Sequence, residues 1–171
     1  MILLDTNVVS ALMLREPDPV AVAWLDNQPA ESVWTTSITV FEVRTGLELL
    51  ATGSRRLQLE EAFDRLLAED LDGRVQPFDQ SAAEAAGTIA AGRQRVGRTV
   101  EVRDVQIAGI ARARKATLAT RNLRHFQGTG VELVSPWPSS SARACVLWGI
   151  CAAEIPQRDF AVVEVEAEAP G

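Results

Sequence analysis

Histidine and cysteine are almost absent from this chain. There is one histidine, His125, and there are two cysteines, Cys145 and Cys151, in 171 residues. A single histidine gives poor support to a Ser-His-Asp hydrolase or to a histidine-rich zinc site. The two cysteines sit close together near the end, match no metal-ligand spacing and are too few for a disulfide framework, so they read as reduced thiols. No apolar run reaches the ~18 residues of a membrane span. No basic flank precedes the short N-terminal apolar run, so no secretory signal is expected either. These absences together point to the cytoplasm. Basic charge is also in short supply: 17 Lys and Arg stand against 23 Asp and Glu, for a net charge of −6. That balance argues against loose, non-specific binding to nucleic acid.

What basic charge there is, however, is concentrated. Nine basic residues fall between Arg93 and Arg124 (Arg93, Arg95, Arg98, Arg103, Arg112, Arg114, Lys115, Arg121, Arg124), with only Glu101 and Asp104 as acids among them. The segment therefore carries about +7 and the remainder about −13. It reads either as a solvated helix face or as a surface that meets phosphate. Hydrophobic residues make up 47% and charged residues 23%, the composition of one globular domain with a sizeable core.

Helical and strand patterns alternate along the chain, the signal for βαβ units and a parallel sheet. Residues 2–5 read as a first strand, followed by a helix capped by Thr6 or Asn7 and ended near Pro17. A second short helix contains Val20, Val22, Trp24 and Leu25. Residues 33–36 read as the second strand. Ser37 is expected to cap a helix running to about Thr52, with Ile38, Val40, Phe41, Leu47 and Leu50 as core contacts and Gly53 as its stop. Residues 56–71 are strongly helical, with Leu57, Leu59, Phe63, Leu66, Leu67 and Leu71 on the apolar face. Residues 75–78 predict a third strand, 80–95 and 103–115 two helices, and 117–120 and 131–134 a fourth and fifth strand. Trp24 and Trp34 read as core, and Trp137 as packing the sheet edge. After Pro138 the periodicity fades, and residues 138–171 read as an appendage, disordered or docking on a partner through Leu147-Trp148.

The chemistry lies at the element ends. Asp5 closes an apolar strand, and in parallel α/β sheets ligands bind beyond the strand ends. Glu42 lies one turn into the helix after the second strand. Asp104 begins the helix before the fourth strand, and Asn122 follows that strand. If the first and fourth strands adjoin, these four positions converge. Taken singly, Asp5 reads equally as a helix cap, Glu42 as a surface residue and Asp104 as a helix N-terminal acid. Together they make a carboxylate cluster that cannot stay ionised without cations, and hard oxygen ligands suit Mg²⁺ or Mn²⁺. Such a site does phosphoryl chemistry by activating water, with no Ser or Cys nucleophile. A phosphatase of the haloacid-dehalogenase type would want a second Asp two residues after the first, where this chain has Asn7.

Four segments carry a resemblance to a known family: ILLDTNVVSAL at 2–12, SITVFEVRTGLELL at 37–50, GRTVEVRDVQIAGIARARKATLATRN at 97–122 and VELVSPW at 131–137. In order and spacing they resemble PIN-domain proteins, most of all toxins of the VapC and FitB type from toxin–antitoxin pairs. The resemblance covers residues 1–137 as a PIN-like nuclease domain and leaves 138–171 as the extension. It implies a three-layer α/β/α fold with a parallel sheet of about five strands in the order 3-2-1-4-5. It implies Mg²⁺- or Mn²⁺-dependent cleavage of RNA, tRNA or rRNA among the candidates. It also implies a homodimer neutralised by a cognate antitoxin, with a larger assembly on operator DNA. Asp5, Glu42 and Asp104 match the principal acids, Asp5 and Asp104 being the usual metal ligands. Thr6 and Asn7 match residues ordering the loop around Asp5, and Thr120 matches a supporting hydroxyl. Asn122 stands where many members have a fourth acid, and His125 stands where others place one. The loss of that charge predicts a single ion, or a weak second one, and favours Mn²⁺. Arg103, Arg112, Arg121, Arg124 and His125 are candidates for contact with RNA. The alternative is a catalytically weak, FitB-like protein that binds antitoxin and nucleic acid as a regulator.

Overall fold

The computed structural model describes residues 1–138. The expectations for the tail beyond Pro138, its two cysteines and Leu147-Trp148 lie outside the described residues. Five strands, β1 (Ile2–Leu4), β2 (Val33–Thr36), β3 (Val75–Gln76), β4 (Thr117–Ala119) and β5 (Leu133–Val134), form one sheet in the order β3-β2-β1-β4-β5, with every pairing parallel. This is the sheet order that the resemblance implies. Parallel strands need helical crossovers, which cover both faces and favour apolar residues in the strands.

The helices are α1 (Thr6–Leu12), α2 (Pro19–Asp26), α3 (Ser37–Glu48), α4 (Ser54–Arg65), α5 (Gln80–Arg95), α6 (Val102–Arg114) and α7 (Leu123–Phe126). Successive strand residues face opposite sides of the sheet, and the core divides accordingly. Leu4, Ala119 and Val134 join a cluster with Val8, Val9, Trp24, Val43, Leu47 and Phe63 from α1 to α4. Leu3, Leu118 and Leu133 join a second cluster with Ala82, Ala86, Ile89, Val105, Ile107 and Ile110 from α5 and α6. Trp137 packs in the first cluster, and its indole Nε1 donates to Asp18 Oδ2 at 2.9 Å. That bond holds the Asp18 carboxyl below its ordinary range while Asp18 also caps α2, whose first residue is Pro19.

Several boundaries differ from the sequence reading. Asp5 caps α1, its Oδ1 accepting from the Thr6 amide at 2.8 Å, so neither Thr6 nor Asn7 is the cap. Thr36, not Ser37, caps α3, through a bond from the Thr39 amide at 3.0 Å. The Ser37 hydroxyl instead accepts from the Phe78 amide at 3.0 Å and ties the end of β3 to α3. α3 stops at Glu48, and Gly53 opens α4 as its N-cap residue. β3 ends before Pro77, which has no N–H to donate to a ladder. Phe41 and Leu57, expected in the core, are 56% and 57% exposed. The helical period explains Phe41: the buried pair Val43 and Leu47 fixes the inner face of α3, and Phe41 lies about 200° around the helix from Val43.

Arg93 is buried at the end of α5. It donates to the carbonyls of His125 and, at 3.4 Å, Gln127, and its Nε has no hydrogen-bond partner among the described residues. A cation on the carbonyls at the C-terminal end of α7 matches the polarity of a helix terminus. It ties the short α7, which carries His125, to α5.

Candidate active site

The register of the sheet builds the centre of the site. Leu4 pairs with Ala119 across β1 and β4, and the Asp5 amide donates to the Ala119 carbonyl at 3.0 Å. The next residue on each chain is therefore set side by side at the C-terminal edge. Thr120 Oγ1 donates to Asp5 Oδ2 at 2.6 Å. The same hydroxyl accepts from Asn7 Nδ2 at 3.0 Å and from the Asn122 amide at 3.0 Å. Asn7 Nδ2 also reaches Asp5 Oδ2 at 2.7 Å, while Asn7 Oδ1 accepts from the Arg121 amide at 2.9 Å. Asp5 is only 5% exposed and Thr120 fully buried. The carboxylate is thus locked by donors from α1 and from Thr120 just past β4, the packing that a preorganised site needs.

Two further acids approach from flanking helices. Glu42 lies in the second turn of α3, and its Oε2 accepts from the Thr6 hydroxyl. Asp104 sits in the first turn of α6. Burial pushes the Asp5 carboxyl above its ordinary range, partly countered by the bonds from Thr120 and the Thr6 amide, and the charges of Asp104 and Glu42 push it further up. Burial also raises Asp104, where His125 pulls down while Glu101 and Glu42 push up. Asp5, Glu42 and Asp104 are therefore close enough to feel one another. An anion so placed favours a cation beside it.

The cations present belong to the other two acids. Arg103 Nη1 lies 3.5 Å from Glu42 Oε1. His125 Nδ1 lies 3.1 Å from Asp104 Oδ2, an ion pair when the imidazole is protonated. Among the described residues no three His, Cys, Asp or Glu side chains are disposed to hold one ion as they stand. The donor set is nevertheless all oxygen around a buried Asp5, which fits the open sites of Mg²⁺, where one or two carboxylates are completed by water. Asp5 and Asp104, with Glu42 beside them, are the residues that could hold such an ion.

The remaining candidates separate. Asn122 reaches the site through its backbone amide on Thr120, while the residue itself is exposed. Arg121 lies with its guanidinium 5.1 Å from the Trp137 ring centroid, and Arg124 is exposed on α7. Arg112 is in the last turn of α6, whereas Asp104 is in the first. Eight residues of helix rise about 12 Å, so Arg112 does not frame the acids as expected. Arg114 is occupied by Asp79, at 2.6 Å, and by Gln76 and Ser81. The pairings of Arg103 with Glu42 and of His125 with Asp104 were not legible in the sequence, since nothing local links those residues. Phe41 falls on the outer face of α3 and not in the core, as the spacing of Val43 and Leu47 dictates.

Known proteins agree with this architecture. A family model described as "PIN domain" matches residues 2–130. VapC ribonuclease Y4jK of Sinorhizobium fredii is 36% identical over 137 residues, covering 80% of this chain and 98% of that protein. Toxin FitB of Neisseria gonorrhoeae is 35% identical over 137 residues, 80% of this chain and 99% of its own. Among solved structures, FitAB bound to an IR36 DNA fragment superposes with a TM-score of 0.73 at 34% identity, over 81% of this chain and 97% of that one.

Proposed function

Because the chain belongs to the PIN-domain family, we propose that it is the toxin of a toxin–antitoxin pair, an endoribonuclease that hydrolyses RNA phosphodiester bonds with Mg²⁺ or Mn²⁺. The observation that carries this reading is the buried Asp5 just past the end of β1, fixed by Thr120 and Asn7, with the charges of Glu42 and Asp104 acting on it. The ribonuclease and toxin among its relatives support the same reading.

In this reading Asp5 and Asp104 would hold the ion, and Glu42 would orient a water or assist as a ligand. When bound, the ion supplies Lewis-acid activation of water and neutralises charge developing at phosphorus. Thr120, Asn7 and the Thr6 amide fix the Asp5 carboxylate, so that its oxygens need no reorganisation as the reaction proceeds. Arg103 shifts from Glu42 to an incoming phosphate, and Arg124 and His125 contact the RNA backbone, giving affinity without sequence information. A structured RNA such as tRNA or rRNA is the substrate. The partners are an antitoxin that neutralises the site, a second copy of the chain, and operator DNA bound through the antitoxin. Residues 1–137 form the catalytic unit, and the protein acts in the cytoplasm.

A second reading has one specific support. Arg103 on Glu42 and His125 on Asp104 occupy two of the three acids, as they would in a weak or inactive member that acts only as a FitB-like regulator bound to antitoxin and DNA. Incubating a tRNA and rRNA pool with purified, antitoxin-free protein in Mg²⁺, Mn²⁺ or EDTA decides between them. Discrete products that require metal and vanish in Asp5→Asn and Asp104→Asn are expected. Absence of cleavage above those variants, in folded protein that still binds its antitoxin, would leave the regulator.

A further inference from the structure

Phe41 stands in solvent while the other phenylalanines of the described residues do not. Phe63 and Phe126 are fully buried, Phe78 packs against the α5–α6 cluster, and Phe41 is 56% exposed. A lone exposed apolar residue is ordinary; the neighbours of this one are not. Phe41 immediately precedes Glu42 on α3. The Arg103 guanidinium lies 5.8 Å from its ring centroid. Arg103 in turn precedes Asp104 on α6 and reaches Glu42 Oε1 at 3.5 Å, with its own side chain 51% exposed. A flat aromatic ring and a planar cation, both open to water, thus flank two of the three acids.

Resting on the ribonuclease reading, we propose that Phe41 and Arg103 form a nucleobase subsite, in which an unpaired base next to the cleaved bond stacks on the Phe41 ring while Arg103 meets its phosphate. Single-stranded RNA is recognised in this manner: unstacked bases lie on aromatic rings and guanidinium planes, and every base has a face to offer. In a duplex the base faces are already covered by their neighbours. The subsite therefore selects a splayed loop or single-stranded segment over a helix, and it tolerates several sequences. A protein partner would also cover an exposed ring, but it gives no reason for the ring to be tied, through Arg103, to the acids that do the chemistry. Leu49 and Leu57, exposed at 82% and 57%, carry no such tie.

The test uses the full chain in EDTA, and the Asp104→Asn variant in Mg²⁺, so that chemistry is silent. The probe is a single-stranded oligoribonucleotide with one 2-aminopurine, compared with its duplex and with an abasic version. The wild type is expected to quench the 2-aminopurine and to prefer the single strand. Phe41→Ala should lose the quenching and bind roughly 5- to 150-fold more weakly, the range for removing one stacked base. Phe41→Trp should restore both, and the abasic strand should not distinguish wild type from Phe41→Ala. Unchanged melting of Phe41→Ala keeps the comparison clean. If the wild type binds and cleaves RNA but Phe41→Ala binds equally well, the subsite is wrong and the ribonuclease reading stands. If Phe41→Ala keeps its RNA affinity and loses a copurifying protein, the ring belongs to a protein interface and the subsite is overturned. A wild type that neither binds nor cleaves RNA overturns the ribonuclease reading and the subsite with it.

Discussion

Gly109 lies at the point where α6 crosses α5, and replacing it with alanine tests how far the site depends on that crossing. An added Cβ would stand 2.5 Å from the Ala82 carbonyl oxygen, 2.7 Å from Ala86 Cβ and 2.9 Å from the Ala86 nitrogen. All three atoms belong to backbone or a methyl group, so no side chain can rotate away. Restoring a 3.4 Å separation from the carbonyl oxygen requires the helices to part by about 0.9 Å. Overpacking of this kind costs up to about 3 kcal/mol. Alanine returns about 1 kcal/mol through its better helix propensity. The net loss of about 2 kcal/mol lowers Tm by roughly 4–8 °C for a chain of this length. The same displacement moves Asp104, in the first turn of α6, and a misplacement near 1 Å can cost on the order of 100-fold in rate. Gly87→Ala is the control, because its Cβ would meet nothing within 4 Å, and it should raise stability by up to about 1 kcal/mol. Thermal melting followed by circular dichroism, with RNA cleavage alongside, makes the measurement. If Gly109→Ala melts at or above the wild-type temperature, the clash argument is refuted. If Tm falls and cleavage is intact, the link from helix crossing to site is refuted.

Two further outcomes concern charge and hydrogen bonding. Thr120→Val keeps the shape but removes the donor to Asp5 Oδ2 and the acceptor for Asn7 and the Asn122 amide; ~1–3 kcal/mol of stability should go with the buried groups left unpaired. Because the Thr120 bond holds the Asp5 carboxyl down, Mn²⁺ binding followed by calorimetry should also shift to higher pH, with Thr120→Ser restoring both; an unchanged pH profile would refute the role. For stability against pH, Asp79 is held at about 2 by Arg114, the Ala82 amide and Ser81. Its folded value is depressed, so its contribution is present above its ordinary value of 3.8 and is lost as pH falls through about 2. Arg114→Met should therefore melt below wild type at neutral pH and converge with it near pH 2; a gap that persists in acid would mean that Arg114 acts through packing alone. Asp5 and Asp104 run the other way: raised values mean that, without metal, their contribution grows as pH falls through their folded values and is lost as pH rises above them.

Much of the fold was legible because it rests on local rules. Short apolar runs alternating with helical periodicity specified five strands and the helices between them. Asp5 at the end of the first run and Asn122 after the fourth marked the edge where a site was expected, whereas Thr120 was singled out only through the family resemblance. The misreadings have local causes as well. Thr36 and Ser37 are adjacent hydroxyls, and only the bond from the Thr39 amide tells which one caps α3. Gly53 can stop one helix or open the next, and the turn geometry decided for the second.

By itself the sequence determined the element order and the placement of Asp5, Glu42 and Asp104 at or near element ends, since these follow from side-chain period and residue chemistry along the chain. Only the tertiary structure decided which groups meet across it: Thr6 with Glu42, Arg103 with Glu42 and Phe41, His125 with Asp104, and Arg93 with the backbone of α7 at His125. These pairs are joined by the sheet register and the α5–α6 crossing. No spacing in the sequence encodes a contact between residues that neither share an element nor follow one another.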